Sequence, residues 1–369
     1  MPGAVSKAWY KSSLLLPGVV CVLLPALEGA GRASEARVDG SFPTLEKSKN
    51  QATTSENQRP ADPQVKAVLD KMAAAGIGQP ATVSDVRKAY DFYPKLSGTP
   101  EKVFRIEDRQ IAGPAGNIAI RVYIPLPTTG LPILVFFHGG GFVAGSLATH
   151  DTPLRSMANR CECIVVSAAY RLAPENKYPA APEDAYAATK WSAEHAKSIG
   201  GDPRRIAVGG DGAGGNLAAV VTLMARERGT PSLLFQLLIY PALDASTMSP
   251  IWWAETNAPA VSRESMGAIM RAYLPITGQL SDPFVSPIRA DNLRNLPPAL
   301  VIAYGGDDPL RVEGEEYARR LRQDGVAAKV SLYPNAVHGF FLMAGDLDAG
   351  KRCIDEAASA LRNTFSPAS

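Results

Sequence analysis

The sequence is organised around one glycine-rich turn, Gly210-Asp211-Gly212-Ala213-Gly214-Gly215-Asn216. It follows an apolar run at 205–208 and precedes a helical pattern at 216–228. Between a strand and a helix, the frame Gly-x-?-x-Gly is typical of a nucleophile elbow, in which the middle residue is normally serine. Here the middle residue is Gly212, and the flanking glycines allow the turn to be tight.

Apolar runs alternate with helical patterns on both sides of this turn. The runs that predict strands are 103–106, 118–124, 132–137, 164–167, 205–208, 233–240, 299–303 and 328–333. The patterns that predict helices are 154–160, 181–199, 216–228, 313–323 and 351–363. Such alternation predicts an α/β fold with a mostly parallel central sheet and helices on both faces. The first two strands are expected to form an antiparallel hairpin around Gly113–Gly116.

The N-terminus has the composition of an export signal. Lys7 and Lys11 precede an apolar stretch at 14–27, and small residues follow. This pattern predicts a signal peptide over residues 1–36 and a secreted or periplasmic protein. A wrongly assigned start and an uncleaved anchor are the alternatives.

The rest of the chain divides by composition into three parts. Residues 37–61 are polar and predict a flexible arm, whereas 62–100 predict two cap helices. The main domain is expected over 101–369. Within it, residues of about 245–280 interrupt the strand–helix alternation and predict an insertion that completes the cap.

Charge and cysteine usage exclude several classes of protein. The formal net charge is +2 without a long basic block, so no nucleic-acid partner is expected. Cys161 and Cys163 lie two apart on an apolar run and would share one face of a strand, which makes them a poor disulfide pair. A bridge from one of them to Cys353 stays open. No metal is expected, because metal-ligand spacing of Cys or His is lacking.

Three further motifs suggest chemistry at the strand ends. The loop His138-Gly139-Gly140-Gly141-Phe142 follows a predicted strand, and its bare backbone amides are suited to stabilising an oxyanion. Asp307 and Asp308 follow the strand at 299–303, and His338 follows the strand at 328–333. An acid and then a histidine after the elbow is the chain order of an α/β-hydrolase triad.

Together these motifs resemble the hormone-sensitive-lipase family (bacterial family IV) of α/β-hydrolase carboxylesterases over about residues 62–363. The matching segments are 138–142, Tyr170-Arg171-Leu172-Ala173-Pro174-Glu175, 210–215, Asp308-Pro309-Leu310 and His338-Gly339-Phe340. The resemblance implies an α/β-hydrolase fold with a helical cap and an acyl-enzyme mechanism, without cofactor or metal.

The resemblance also assigns roles to residues. It places the nucleophile at Gly212, the base at His338 and the orienting acid at Asp308. It implies an oxyanion hole from the backbone amides of Gly140, Gly141 and Ala213. It further implies that two structural acids lie beneath the site, Glu175 and Asp184.

Gly212 is the departure from the family pattern, because glycine has no hydroxyl to form an acyl-enzyme. One hypothesis is an esterase inactivated at this single position. A second is a natural ligand-binding protein on the same scaffold, and a third is a structural or interaction protein. A fourth is an unrecognised nucleophile, for which Ser146 and Ser286 are candidates.

Aromatic and methionine side chains of the predicted cap indicate an apolar pocket, although each of them would also suit an ordinary core. They are Phe92, Tyr93, Trp252, Trp253, Met266 and Met270. The expected substrate is a small to medium, apolar or aromatic ester, including xenobiotic esters such as herbicide esters. A homodimer is an open alternative to a monomer, and no membrane span is expected.

Overall fold

A computed structural model describes residues 62–246, 262–276, 279–305 and 308–366. The predicted signal peptide and the predicted arm lie outside these ranges, as do Trp252, Trp253 and Asp307.

The described residues form one central sheet of eight strands. The strands are β1 Arg105–Gly113, β2 Gly116–Ile124, β3 Leu131–Phe137, β4 Ile164–Ala169, β5 Gly201–Asp211, β6 Phe235–Ile239, β7 Ala299–Tyr304 and β8 Ala328–Tyr333. Their order across the sheet is β1-β2-β4-β3-β5-β6-β7-β8. The hairpin β1–β2 is antiparallel, β2 runs antiparallel to β4, and the other pairs are parallel. The predicted hairpin and mostly parallel sheet are confirmed.

Eight α-helices accompany the sheet in the described ranges. They are α1 Pro63–Ala74, α2 Val83–Phe92, α3 Asp151–Cys161, α4 Ala180–Glu194, α5 Ala213–Arg228, α6 Arg263–Tyr273, α7 Pro309–Gln323 and α8 Asp348–Phe365. Local sequence explains where the first two begin. The Asp62 side chain accepts the Gln64 amide before α1, and Thr82 and Asp85 form a capping box at α2. None of the described helices is long and apolar enough to cross a membrane.

Two predicted boundaries were wrong in ways that matter locally. The helix expected at 181–199 ends as α4 at Glu194, and a short 3₁₀ turn, Ala196–Ile199, follows. The strand expected at 103–106 begins at Arg105 and continues to Gly113, because it pairs with β2 along its whole length.

Strand β3 forms the centre of the core. All seven of its residues are buried, and it pairs with β4 on one side and β5 on the other. From β3 the chain continues to β4 on one side, and from β4 it crosses to β5 on the other side of β3. The strand order therefore reverses between β3 and β5, and open α/β sheets bind ligands at the carboxyl ends of the strands that border such a switch point.

The expectation for the cysteines was wrong. Cys161 and Cys163 form a disulfide with each other, while Cys353 is free and buried. They do not share a strand, because Cys161 ends α3 and Cys163 precedes β4. Glu162 between them adopts a left-handed conformation (φ 53°), and this turn brings the two side chains together.

Candidate active site

The turn after β5 holds Gly212 in a conformation that side-chain-bearing residues rarely adopt, with φ 52° and ψ −115°. Its amide donates a hydrogen bond to the carbonyl of Ile239 at the end of β6, at 2.9 Å. The turn is tight because Gly210 and Gly214 lack side chains. A Cβ on either would collide with backbone, in both cases including the Phe137 carbonyl at the end of β3. The predicted elbow is therefore present.

His338 lies over the elbow. A Cβ built on Gly212 would be 3.7 Å from Nε2 of His338 and 3.9 Å from its Cε1. Apart from the chain neighbours of Gly212, no other heavy atom of the described residues comes within 4 Å of that Cβ. A serine side chain at this position would therefore reach the imidazole. Burial lowers the pKa of His338 to about 4, although the charge of Asp211 opposes the shift.

Asp308 follows β7, as predicted, and caps α7. Its Oδ1 accepts the Leu310 amide at 3.1 Å, while its Oδ2 is buried without a hydrogen-bond partner. Nδ1 of His338 is likewise buried and unpaired, so the structure shows no hydrogen bond between this acid and this base. Burial raises the pKa of Asp308 to about 7, and the neighbouring Tyr304 hydroxyl and Leu310 amide oppose that rise.

Residues of the glycine loop and of the elbow border the same pocket with their backbone. Gly140 and Gly141 have φ values of 121° and 61°, and both line the pocket together with Ala213. Across the described ranges, the amides of Gly140 and Gly141 donate no hydrogen bond. Ala213 is the first residue of α5, so its amide has no carbonyl partner within the helix. Three amide groups are thus available to a ligand oxygen.

The pocket over these groups opens to solvent at its mouth. Its walls come mainly from α2 and α6, and α1 contributes Met72. They include three of the predicted residues, Tyr93, Met266 and Met270, together with Met72, Val86, Ala89, Tyr90 and Ile269, which sequence analysis missed. Phe92 does not line the pocket; its ring lies 5.1 Å from Nζ of Lys95. Among the residues that the structure describes, no Asp, Glu, Lys or Arg lines it.

Asp211 has a role that sequence analysis did not identify. It is fully buried, and its Oδ1 accepts hydrogen bonds from the Gly139 amide at 2.8 Å and from Nε2 of His150 at 2.9 Å. Thr149 Oγ1 lies 2.9 Å from Nδ1 of His150. The carboxylate therefore joins the elbow, the glycine loop and the start of α3. No sequence spacing links residues 61 positions apart, so only the three-dimensional fold reveals this contact.

His138 stays within the glycine loop, as expected. Its ring stacks on Tyr170 with centroids 4.3 Å apart, and its Nδ1 lies 2.9 Å from the Gly139 carbonyl. Burial lowers the pKa of His138 to about 3, so the ring is neutral near pH 7.

The structure separates the two acids that the family resemblance grouped beneath the site. Asp184 is buried and pairs with Arg171 through Oδ2, 2.8 Å from Nε. Glu175 was misplaced: its side chain is 57% exposed and pairs with Arg87 at 2.7 Å. It follows a surface turn, so it contacts solvent rather than the floor of the pocket.

The alternative serine nucleophiles are not placed for catalysis. Ser286 is buried, donates to the Leu280 carbonyl at 2.6 Å and accepts the Ala245 amide at 2.7 Å. Ser146 bonds to Thr149. Neither lines the pocket.

A mostly parallel sheet with an elbow, a buried histidine and a buried acid at its carboxyl edge defines a hydrolase of the α/β class. Residues 134–342 match the model of the α/β-hydrolase fold family. The chain belongs to this family.

Relatives and solved structures agree with that assignment. Esterase LipI of Mycobacterium tuberculosis is 42% identical over 285 residues, which cover 76% of this chain and 88% of the relative. Carboxylesterase NlhH of the same species is 40% identical over 280 residues, 73% of this chain and 87% of the relative. A hyperthermophilic esterase from the archaeon Pyrobaculum calidifontis is similar in structure. Its TM-score is 0.77 at 39% identity, covering 83% of this chain and 99% of the other.

The titration of His338 reports its surroundings. Burial depresses the pKa, so the folded protein binds fewer protons than the unfolded chain between about pH 4 and 6.5, and stability falls as the pH falls through that window. We expect the Cε1 proton resonance of His338 to titrate with a midpoint near 4 by NMR. Because no hydrogen bond joins them, Asp308→Asn should leave the midpoint unchanged. A midpoint at or above 6.5 that drops in Asp308→Asn would show instead that the two side chains pair at rest.

Removal of His150 should be costly, because it takes the imidazole partner from a fully buried carboxylate and leaves Asp211 with the Gly139 amide and the more distant Tyr240 hydroxyl. We expect His150→Ala to lower the free energy of unfolding by about 3–5 kcal/mol in denaturant titrations. The matched control is His195→Ala at the exposed end of α4, with an expected change within about 0.5 kcal/mol. Equal, small losses in both variants would contradict a stabilising role for the buried pair.

Proposed function

We propose that this pocket is the active site of a carboxylic-ester hydrolase. In the proposal His338 is the general base, and Asp308 is the acid that would pair with its Nδ1 only in the reacting complex, since the two are unpaired at rest. The amides of Gly140, Gly141 and Ala213 would hold the oxyanion. The observation that carries it is the 3.7 Å separation between a Cβ at residue 212 and Nε2 of His338. The esterase names of the relatives support the same reaction.

The proposed chemistry requires a hydroxyl at residue 212. A serine there would pass its proton to Nε2 of His338 while its oxygen attacked the ester carbonyl. The carbonyl oxygen would become negatively charged and accept hydrogen bonds from the three amides. Gly212 supplies no such oxygen, so the chain lacks the acyl-enzyme route. We infer an esterase inactivated at one position, since the other required groups are retained.

The lining of the pocket supports a substrate class. Its described walls carry methionine, isoleucine, valine and tyrosine side chains, and no acid, lysine or arginine is among the described lining residues. Burying a charged ligand group there without a partner would be unfavourable. The proposed substrates are small to medium esters with apolar or aromatic groups, a class that includes xenobiotic esters such as herbicide esters.

The N-terminal sequence supports a location. Lys7, Lys11 and the apolar stretch at 14–27 have the order of a signal peptide. We propose that the protein is secreted or periplasmic.

A second candidate function rests on Gly212 itself. Without a nucleophile, the same pocket would bind an intact ester or a similar neutral ligand and release it unchanged. The two functions differ in the expected effect of Gly212→Ser. The substitution would create ester hydrolysis under the first function and would leave the hydrolysis rate unchanged under the second.

The substitution Gly212→Ser tests the proposed function. In a well-studied protease, loss of the nucleophile costs about 10⁶-fold in turnover, so we expect serine to raise the rate with p-nitrophenyl butyrate by at least about 10³-fold. The reason is that the new Oγ lies within reach of His338. Steady-state release of p-nitrophenol measures the change.

Gly212→Ala is the matched control. It introduces the same Cβ and the same backbone strain at φ 52° without the hydroxyl, and no gain in rate is expected. Equal rates for the serine and alanine variants, with both folded by circular dichroism, would reject the esterase function and leave ligand binding.

A further inference from the structure

The space above Gly212 has room for a side chain and is bordered by the imidazole ring of His338. The Cβ position there contacts only the His338 ring among the described residues that are not next to it in the chain, at ordinary van der Waals distances of 3.7 and 3.9 Å. A serine side chain consists of two heavy atoms beyond Cα. That side chain is bonded to Cα, whereas a free molecule must stay about 3.5 Å from it, so such a molecule would lie beside Gly212 on the pocket side, within hydrogen-bond reach of Nε2 of His338.

This space communicates with the pocket. Gly212 and His338 both line it, as do Gly140, Gly141 and Ala213. A small molecule that enters through the mouth can reach the imidazole while a larger ligand occupies the apolar part. The amides that would hold the carbonyl oxygen of that ligand are at the same place.

His338 is available as a base. Its Nδ1 is unpaired, and across the described ranges the ring makes no hydrogen bond. Because burial lowers its pKa to about 4, the ring is neutral near pH 7 and can accept a proton.

The other hydroxyls of the pocket do not replace the missing serine. Ser265 donates to the Ser262 carbonyl at 2.8 Å and accepts the Ser262 amide at 3.0 Å, so its hydroxyl is engaged within α6. Burial raises the pKa of Tyr90 and of Tyr93, which keeps both phenols protonated and weakly nucleophilic. None of the described residues that line the pocket therefore offers His338 a free nucleophile.

We propose that the part of the pocket bordered by Gly212 and Nε2 of His338 is a binding site for a small neutral nucleophile of one or two heavy atoms, such as water, hydroxylamine or methanol. The proposal rests on the ester-hydrolase function proposed above. The bound molecule attacks the ester directly, so a single acyl transfer replaces the two steps of an acyl-enzyme route.

The transfer with hydroxylamine balances as follows. The nitrogen lone pair forms a bond to the ester carbonyl carbon, and the nitrogen proton passes to Nε2 of His338. The resulting oxyanion accepts hydrogen bonds from the three amides. The bond between carbonyl carbon and ester oxygen then breaks, and His338 returns the proton to the departing alkoxide. The products are a hydroxamic acid and an alcohol, and no electrons are gained or lost.

The experiment uses the unaltered chain with phenyl butyrate and increasing hydroxylamine, and measures hydroxamate as its coloured iron(III) complex. We expect the enzyme-dependent rate to saturate with hydroxylamine. It should fall about 10²-fold in His338→Gln, because general-base catalysis contributes about 10²–10⁴-fold. O-tert-butylhydroxylamine, a bulkier nucleophile, should give no saturable rate.

Gly212→Ala separates this site from a nonspecific effect. Its methyl group would stand 3.7 Å from Nε2 of His338 and keep a free molecule farther from Gly212, so the hydroxylamine-dependent rate should drop at least about tenfold, toward the His338→Gln rate. A rate unchanged in Gly212→Ala would overturn the proposed location. The same proteins are compared by circular dichroism, so that loss of fold is recognised.

Comparison with Gly212→Ser distinguishes this inference from the proposed function. If the serine variant hydrolyses phenyl butyrate but the unaltered chain forms hydroxamate no faster than His338→Gln, the nucleophile site is wrong and the esterase function stands. If neither the serine variant nor added hydroxylamine gives a rate above His338→Gln, the esterase function itself is wrong.

Discussion

The close approach of the Phe137 carbonyl to the glycines of the elbow is the contact on which the site depends. It requires that Gly210 and Gly214 have no side chain, and it brings the end of β3 against the start of α5. The backbone between them must then turn sharply, which places Gly212 at φ 52° beneath His338. The same approach sets the glycine loop after β3 beside the N-terminus of α5, so amides from two elements face one pocket.

Buried polar contacts hold that geometry together. Asp211 joins the elbow to Gly139 and to His150, and both contacts are shielded from water. A buried carboxylate without partners would be strongly unfavourable, so these partners restrict where the glycine loop can lie. Fewer hydrogen bonds hold Asp308 and His338. Asp308 Oδ2 and His338 Nδ1 are both buried without hydrogen-bond partners, and burial shifts the pKa of each side chain toward its neutral form.

Patterns local in sequence predicted most of the fold. The apolar run at 132–137 and the alternation around it were sufficient for the parallel sheet, and the order of elbow, acid and histidine predicted where Asp308 and His338 would lie. What sequence missed depends on distant contacts. His150 and Asp211 come into contact only in the folded sheet, because they are far apart in the sequence. Glu175 is exposed and pairs with Arg87, which is also distant in the sequence. No sequence pattern predicts the left-handed conformation of Glu162, which lies between Cys161 and Cys163.

In the proposed ester site, Gly212 supplies no atom to form an acyl-enzyme, while the groups proposed to bind the ester are present. An intact ester should therefore bind without being consumed by that route. A crystal structure of the unaltered chain with phenyl butyrate tests this directly. We expect the ester carbonyl oxygen to lie about 2.7–3.1 Å from the amides of Gly140, Gly141 and Ala213, with its carbonyl carbon above Gly212. An ester bound with its carbonyl turned away from these amides would contradict the proposed site.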